Sequence, residues 1–320
     1  MLISHRPDFH VAYPPCLCVL LVPDKQTQSF LIKRFKEVGI RPNTKRGQNF
    51  LIDLNLLKLL HDSAEIEPCD VVLEVGTGTG ALTAMMADLA GAVVTVEIDR
   101  RLFQLASEEL EGRENVTMLR ADILKNKNTL NPAVMETVET QLQTDADRRF
   151  KLVSNLPYNV ATPIVSNLLA CPLTPRTMTI TIQKELADRV TASPGTKDYG
   201  ALSVWVQCQA RAHIVRIMPP SVFWPRPKVE SAILHIELDD QLRGRIPDLA
   251  FFHQFARSMF FHRRKFLRSV AVSAFKNRLT KADVDEVLAE QEIDGTRRTE
   301  ELDVDTLLAL GEAFRSRLPE

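Results

Sequence analysis

The chain has few cysteines, and none is placed for a metal site or a disulfide framework. Its 320 residues include five cysteines, which are scattered, odd in number and without a C-x-x-C pair. Structural zinc sites and the disulfide frameworks of secreted domains need closely spaced or paired cysteines. The sequence therefore predicts a protein without a metal site that folds in a reducing compartment, and we expect a cytoplasmic location.

The chain also lacks a long apolar run and an excess of charge. The run from Cys16 to Val22 has seven residues, far fewer than the roughly 20 that span a bilayer, so we expect no membrane association. The net charge is −1, and a nucleic-acid partner would have to meet positive charge segregated on one face. Residues 1–27 are interpreted as a disordered extension or a misassigned start, with an organellar targeting segment as the alternative.

A carboxamide, a proline and an aromatic ring follow the predicted buried strand 150–153 and precede the predicted helix 164–169. In an open α/β sheet, ligands bind beyond the carboxyl ends of the strands. Pro157 has no N–H and favours an extended Leu156, so the Leu156 carbonyl and the Asn155 side-chain oxygen provide two acceptors beside the Tyr158 ring. Such a group suits the exocyclic amine of a planar base. An ordinary Asn-Pro turn is the alternative.

A glycine-rich turn follows another predicted strand, 71–73. Its glycines allow the backbone to approach a ligand at a helix N-terminus. The next predicted strand, 92–96, ends at Glu97, about 20 residues on, where a carboxylate can bind ribose hydroxyls. A third strand, 116–119, is followed by Asp122, which can accept from an adenine amine.

The glycine-rich turn fits the sequence patterns of two different cofactor sites. Gly76-x-Gly78-x-x-Ala81 matches a dinucleotide fingerprint, so an NAD-dependent oxidoreductase has to be considered. However, Glu74 would repel a pyrophosphate, whereas it suits a cationic amino-acid tail. Together with Gly80 and the acids that follow three strands, this favours S-adenosyl-L-methionine over NAD.

Several motifs, in the same order along the chain, resemble those of the rRNA adenine N6,N6-dimethyltransferase family. They are Gly47-Gln48-Asn49-Phe50-Leu51, Glu74-x-Gly76-x-Gly78-x-Gly80, Val96-Glu97-Ile98-Asp99, Asp122, Asn155-Leu156-Pro157-Tyr158-Asn159, Gln183-Lys184-Glu185, Tyr199-Gly200, Pro219-Pro220-Ser221-x-Phe223-x-Pro225-x-Pro227 and Phe261-His262-Arg263-Arg264-Lys265. The continuation Asn159-Val160-Ala161-Thr162-Pro163 favours the branch that dimethylates two adjacent adenosines near the 3′ end of small-subunit (16S) rRNA. A large-subunit rRNA adenine methyltransferase of the resistance type and a non-enzymatic ribosome assembly factor are the alternatives.

The resemblance implies an α/β fold, with a Rossmann-like class I methyltransferase sheet over residues 28–240 and a small all-helical C-terminal domain over 241–320. It implies S-adenosyl-L-methionine as cofactor, with Asn49 and Leu51 closing over it, Gly76 near its methionine part, Glu97 on its ribose and Asp122 on its adenine. The full expected cofactor set is Asn49, Leu51, Glu74, Gly76, Gly78, Glu97, Asp122 and Asn155. The expected catalytic set is Asn155, Leu156, Pro157, Tyr158 and Phe223. The polar segment 125–149 is interpreted as a family-variable insertion, and Phe266 stands where a threonine is expected.

Two later segments allow a structural and a functional interpretation. The segment from Pro219 to Pro227 has four prolines and two aromatic residues; it is either a rigid loop packed on the core or the source of a second base-stacking face, Phe223. The segment from Phe251 to Lys281 has eight cations and no acid, with apolar positions at helical spacing, and predicts a basic helical face. We expect Arg263, Arg264, Lys265 and Arg268 to bind RNA, unless this is only a solvated face. The expected partner is small-subunit rRNA within a preribosomal 30S particle, and the protein is expected to be a monomer.

Overall fold

The computed structural model describes residues 28–42 and 47–318, so the predicted N-terminal extension lies outside the described residues. The strands of the described part are β1 (Phe50–Leu51), β2 (Asp70–Val75), β3 (Ala92–Val96), β4 (Val116–Leu119), β5 (Leu124–Asn126), β6 (Thr129–Leu130), β7 (Arg149–Asn155), β8 (Thr177–Gln183), β9 (Ala210–Met218), β10 (Phe223–Trp224) and β11 (Ser231–Leu238). Seven of them form one sheet in the order β4-β3-β2-β7-β8-β11-β9. The strands predicted at 71–73, 92–96, 116–119 and 150–153 are confirmed as β2, β3, β4 and β7.

Strand direction places the candidate site. β2, β3, β4, β7 and β8 are parallel, whereas β11 runs antiparallel to both β8 and β9. β2 lies between β3 and β7, so the order of the strands reverses there. A crevice beyond the carboxyl ends of the strands at such a reversal is where open α/β sheets bind ligands.

Helices cover both faces of the sheet. They are α1 (Gln28–Glu37), α2 (Leu54–Asp62), α3 (Ala81–Ala87), α4 (Arg100–Glu109), α5 (Pro132–Leu142), α6 (Ala161–Ala170), α7 (Lys184–Thr191), α8 (Ala201–Gln207), α9 (Asp240–Gly244), α10 (Leu249–Met259), α11 (Leu267–Ala274), α12 (Lys281–Glu290) and α13 (Val304–Ser316). Successive strand side chains point to opposite faces. Leu73 accordingly packs with the α5 and α6 side, whereas Val72 packs with α2 and α3. No helix in the described ranges is long and apolar enough to cross a membrane.

The segment 125–149, interpreted from the sequence as a family-variable insertion, contains a helix that packs on the central sheet. The connection from the edge strand β4 to β7 has to pass β3 and β2. The helix α5 makes this crossover, and its Val134 and Val138 are fully buried against the sheet. The polar composition of its exposed face conceals this role in the sequence.

The region after Asp239 is helical, as the resemblance implies. The helix α10 packs against α6 and α8, and Phe252, Phe255 and Met259 belong to the same apolar core as the sheet. The cation-rich segment from Phe251 to Lys281 does not form one continuous helix. Residues 260–266 form a loop between α10 and α11, and this loop presents the predicted Arg263-Arg264-Lys265 motif.

Candidate active site

A cavity of about 330 Å³ opens at the carboxyl ends of β2, β3, β4 and β7. This volume is within the range of small-molecule sites, roughly 300–1,000 Å³. The lining includes all eight expected cofactor residues: Asn49, Leu51, Glu74, Gly76, Gly78, Glu97, Asp122 and Asn155. The structure thus brings together residues that are widely separated in the sequence.

The glycine turn lets the backbone approach the cavity. Gly76 and Gly78 have φ angles of +89° and +59°, in the left-handed region that side chains with a Cβ rarely adopt. A Cβ on Gly76 would lie 3.6 Å from the Pro157 ring, and one on Gly78 would lie 3.3 Å from the Phe50 ring. The Pro157 ring therefore packs against the glycine turn, and both line the cavity.

Glu97 is a buried, preorganised acceptor. Its carboxylate receives the backbone N–H of Gly78 at 3.0 Å and that of Asp99 at 2.9 Å. Burial raises the pKa of Glu97, and these backbone hydrogen bonds oppose the rise. Each oxygen keeps a lone pair for a further donor, as the two hydroxyls of a ribose require. Ile98 follows Glu97 and lines the cavity while half exposed. It was not predicted, although an apolar residue beside a strand-end acid was a usable signal.

Glu74 is more deeply enclosed. Its Oε2 accepts from the Thr83 hydroxyl at 2.5 Å and from the Thr95 hydroxyl at 2.7 Å. Thr95 also hydrogen-bonds to Thr77 in the glycine turn. Burial raises the pKa of Glu74 to about 8. A cationic group beside Glu74 would favour the ionised carboxylate, so this site can respond to an ammonium.

Asp122 lies at the rim. It is exposed, and its Oδ1 accepts the backbone N–H of Leu124 at 2.9 Å. The Asn131 side chain donates to the Asp122 carbonyl at 2.9 Å. These bonds fix the turn after β4, while the second carboxylate oxygen receives no hydrogen bond from the described residues.

The Asn155 motif presents two acceptors whose orientation is set by the backbone. The Asn155 Nδ2 donates to the Asn49 carbonyl at 3.0 Å, and the Leu156 N–H donates to the Thr181 carbonyl at 3.1 Å. Within residues 28–42 and 47–318, no donor is bonded to Asn155 Oδ1 or to the Leu156 carbonyl. Both oxygens can therefore accept from a bound amine.

The segment before β1 packs on this motif. Gly47 has a φ of +72°, and a Cβ there would lie 2.9 Å from the Asn159 Oδ1 and 3.0 Å from the Tyr158 nitrogen. β1 pairs with β10, with Leu51 opposite Phe223. The two-residue ribbon was not predicted, and it joins the cavity to the proline-rich segment.

The two proposed base-stacking rings differ in accessibility. Tyr158 is half-buried, and its hydroxyl forms a 2.5 Å hydrogen bond with the Ser231 hydroxyl. Burial raises the pKa of Tyr158. Phe223 is only 2% exposed and packs in the core with Leu57 and Leu60. The structure thus leaves part of Tyr158 accessible beside Asn155, but it encloses Phe223.

The donor set of the cavity fits S-adenosyl-L-methionine. Glu74 lies in β2, Glu97 follows β3 and Asp122 follows β4. A cationic group, a ribose and an adenine amine can therefore each bind a different carboxylate. A pyrophosphate would instead meet the buried Glu74 carboxyl, which gives it no favourable charge. Gly76 and Gly78 line the cavity with backbone atoms alone, so a ligand can lie close to the main chain there.

The four cations expected to bind RNA fall into two pairs. Arg263 donates to Glu300 at 2.9 Å and to the Tyr199 carbonyl at 2.8 Å. Arg268 forms a two-pronged ion pair with Asp285 at 2.5 and 2.7 Å. Arg264 and Lys265 are exposed, and no acid of the described ranges is paired with either. The exposed positive charge of this motif is therefore concentrated at Arg264 and Lys265.

Comparison with known proteins agrees with this geometry. A model of the family described as "Ribosomal RNA adenine dimethylase" matches residues 39–309. The "Ribosomal RNA small subunit methyltransferase A" of Moorella thermoacetica is 37% identical over 282 residues, which are 88% of this chain and 95% of that protein. The protein of the same name from Listeria welshimeri is 35% identical over 302 residues, or 94% of this chain and 98% of the relative.

Solved structures show the same fold. A dimethyladenosine transferase from Plasmodium falciparum superposes with a TM-score of 0.68 at 23% identity, over 83% of this chain and 97% of that chain. The 23S rRNA methyltransferase ErmE gives a TM-score of 0.56 at 24% identity, over 82% and 98% of the two chains. Because the family model spans residues 39–309 and the curated relatives align over nearly their whole length, this chain belongs to the ribosomal RNA adenine dimethylase family.

Proposed function

We propose that this protein dimethylates N6 of two adjacent adenosines near the 3′ end of small-subunit (16S) rRNA, with S-adenosyl-L-methionine as methyl donor, during small-subunit biogenesis. The observation that carries the proposal is a pair of acceptors, Asn155 Oδ1 and the Leu156 carbonyl, to which no donor of the described residues is bonded. They lie beside a cavity lined by Glu74, Glu97 and Asp122. The names of the curated relatives support the small subunit as the source of the rRNA.

The cavity residues divide the donor molecule among them. Glu97 would accept from the ribose hydroxyls, Asp122 from the adenine amine, and Gly76 would contact the methionine part, with Glu74 behind it. Asn49 and Leu51 would close the cavity. When bound, S-adenosyl-L-methionine supplies an electrophilic methyl group on a sulfonium. Family membership leaves no place for the NAD-dependent alternative.

The Asn155 motif would position the target amine. The lone pair of an adenine amine is conjugated with the ring, so the amine is a weak nucleophile. If its two N–H bonds donate to Asn155 Oδ1 and the Leu156 carbonyl, the nitrogen is held closer to a pyramidal geometry, with its lone pair directed into the cavity. Pro157 has no N–H that could compete for these acceptors. Most of the rate would then come from positioning and electrostatics, and the methylated ammonium is acidic enough to lose its proton afterwards.

The target base has to leave its stack before its amine can reach these acceptors. Unstacking costs a few kcal/mol, and stacking on an aromatic side chain returns roughly 1–3 kcal/mol per base. Tyr158 is partly accessible beside Asn155 and would supply one face. Phe223 remains our proposed second face, but its ring is enclosed and would be reached only if the β1–β10 ribbon shifted.

Two alternatives make different predictions for substrate and activity. A resistance-type enzyme would methylate large-subunit rRNA, and ErmE shares this fold. A non-enzymatic assembly factor would bind the particle without transfer, but the complete cofactor and acceptor sets argue against lost activity. We further propose that the substrate is rRNA within a preribosomal 30S particle and that the enzyme acts as a cytoplasmic monomer.

The proposal is tested by offering the purified protein labelled donor with small-subunit rRNA, preribosomal 30S particles or large-subunit rRNA. Mass spectrometry of digested RNA should detect dimethyladenosine, and primer extension should map it to two adjacent adenosines near the 3′ end of small-subunit rRNA. Transfer to large-subunit rRNA alone would identify the resistance-type activity. Binding to the particle without any transfer would identify an assembly factor.

A further inference from the structure

The loop 260–266 exposes two phenylalanine rings. Phe261 is 79% exposed and Phe266 is 55% exposed, the two highest values among the large apolar residues of the described ranges. A single exposed apolar residue is ordinary. Two exposed rings in one short, charged loop form an apolar patch, and such patches commonly mark a surface that binds a partner.

The loop is fixed from the inside. The Arg263 guanidinium holds it to Glu300 and to the Tyr199 carbonyl. The Lys265 N–H donates to the His262 carbonyl at 3.0 Å, and the Leu267 N–H donates to the Arg297 carbonyl at 2.7 Å. The Phe261 ring also meets the His262 ring edge-on at 4.8 Å. A loop held in this way loses little conformational freedom when it binds a partner.

The charge around the rings is positive. Arg264 and Lys265 lie between them in sequence, and both are exposed without an acid partner among the described residues. Glu300 and Asp285 form ion pairs with Arg263 and Arg268 on either side of these two cations. The partner is therefore expected to be anionic as well as able to cover aromatic rings.

A groove between α10 and α11 extends from the same loop. Its lining includes Phe261 and His262 of the loop, Arg257 of α10, and Val270 and Ala274 of α11. Arg257 is a further exposed cation. Aromatic rings combined with exposed positive charge are the features by which proteins hold single-stranded nucleic acid.

We propose that the loop 260–266 is a subsite for single-stranded RNA, in which Phe261 and Phe266 stack on unpaired bases while Arg264 and Lys265 contact the neighbouring phosphates. The inference rests on the proposed function, since rRNA is the substrate there, and it adds a preference for an unpaired segment. A-form duplex RNA keeps its base faces inside the stack, so exposed rings can use only bases that are unpaired. A protein partner would not require the two unpaired cations.

The test compares the full-length variants Phe261→Ala and Phe266→Ala with wild type, by fluorescence titration of a single-stranded RNA oligonucleotide and of a blunt RNA duplex. Each variant should bind the single strand about 5- to 150-fold more weakly for each lost stacked base, while duplex binding stays unchanged. The slope of log affinity against log salt should not change, because a phenyl ring releases no counterions.

Two controls separate the aromatic ring from its apolar character and from folding. Phe261→Tyr should retain single-strand binding, whereas Phe261→Leu should lose it as Phe261→Ala does. Leu89→Ala removes another exposed apolar side chain, at the end of the sheet opposite the cavity, and should bind like wild type. All variants should keep the wild-type unfolding temperature, because the rings are exposed.

Each other outcome overturns the inference. Wild-type binding by both alanine variants would remove the rings from the RNA surface, and equal losses on single strand and duplex would exclude stacking. A change in sedimentation without a change in RNA binding would identify a self-association patch. Methyl transfer by the wild type is measured separately. The RNA-stacking inference can therefore be overturned while the proposed function stands, and the proposed function can be overturned while the stacking inference stands.

Discussion

Glu97 is the residue whose removal should affect donor binding most directly. Its carboxylate is fixed by the Gly78 and Asp99 N–H groups and would bind the ribose hydroxyls. Glu97→Ala should therefore weaken donor affinity by about 1.5–3 kcal/mol, the scale of hydrogen bonds to charged groups, as measured by calorimetry. The donor affinity of Glu97→Gln should lie between those of Glu97→Ala and wild type. Glu111 is an exposed acid outside the cavity, so Glu111→Ala should bind the donor like wild type. Unchanged affinity in Glu97→Ala would remove this residue from the site.

Glu74 should make the stability of the ligand-free protein depend on pH. Burial raises its pKa from 4.5 to about 8, so between these pH values the folded state keeps a proton that the unfolded state has released. The stabilisation is complete below about pH 4.5 and is lost as pH rises toward 8, by at most about 1.4 kcal/mol per pH unit. The variant Glu74→Gln has no carboxyl group that titrates at this position. Urea unfolding from pH 5 to 8 should show the stability of wild type falling relative to the variant, and a constant difference would contradict the assignment.

Asn155 should contribute more to the first methylation than to the second. N6-methyladenosine offers one N–H to two acceptors, so one acceptor has to give way at the second methylation. The Asn155 side chain can rotate by giving up its single hydrogen bond to the Asn49 carbonyl, whereas turning the Leu156 carbonyl would require turning a backbone peptide whose N–H is bonded to Thr181. Asn155→Ala removes the acceptor that gives way, so we expect it to slow the first methylation strongly and the second methylation less. The ratio of dimethylated to monomethylated product, read by mass spectrometry of digested rRNA, should then be at or above that of wild type, and a ratio far below wild type would show that Asn155 is needed at the second step.

Among the larger elements, the segment before β1 positions the catalytic motif by direct contact. A Cβ on Gly47 would press on the Asn159 side chain and the Tyr158 nitrogen, while Asn49 of the same segment holds the Asn155 amide. Gly47→Ala should slow transfer by about 100-fold, because small displacements of positioned groups cost that much. Gly112 has a similar φ of +83° with no atom within 4 Å of a Cβ, so Gly112→Ala is the matched control. It should lose about 1–2 kcal/mol of stability and keep its transfer rate.

Elements with a local pattern could be predicted from the sequence, and elements defined by distant partners could not. β2, β3, β4 and β7 are short apolar runs followed by glycine or polar residues, so both the strands and the chemistry at their ends were visible. The β1–β10 ribbon has two residues on each side and pairs Leu51 with Phe223. No periodicity marks so short a strand, and the burial of Phe223 follows from that pairing.

The same distinction applies to the cations. Their density between Phe251 and Lys281 was evident from the sequence, but the pairing of Arg263 with Glu300 and of Arg268 with Asp285 joins residues far apart in the chain. Composition alone cannot show which cations are neutralised. RNA binding by the set of four stays a prediction, and the sequence could not separate the cations paired with acids from the exposed ones.

For the whole molecule, a net charge of −1 means that RNA binding depends on which cations remain free of acids. Arg264 and Lys265 are free within the described ranges, so Arg264→Gln with Lys265→Gln should flatten the salt dependence of rRNA binding by up to about 0.7–0.9 per lost phosphate contact. Arg263→Gln with Arg268→Gln should leave that slope unchanged. It should instead lower the unfolding temperature, because it removes the Arg263 bond to the Tyr199 carbonyl and leaves Glu300 and Asp285 unpaired.

Arg264→Gln with Lys265→Gln should change the salt dependence of RNA binding, whereas Arg263→Gln with Arg268→Gln should change the unfolding temperature. Filter binding over a range of salt concentrations measures the first quantity, and thermal unfolding measures the second. Donor affinity should be the same in both, because none of the four cations lines the cavity. If Arg263→Gln with Arg268→Gln also flattens the slope, these ion pairs open on RNA and all four cations contact phosphate. If neither variant changes the slope, the loop 260–266 provides no phosphate contacts, and the electrostatic attraction to rRNA has to come from another surface.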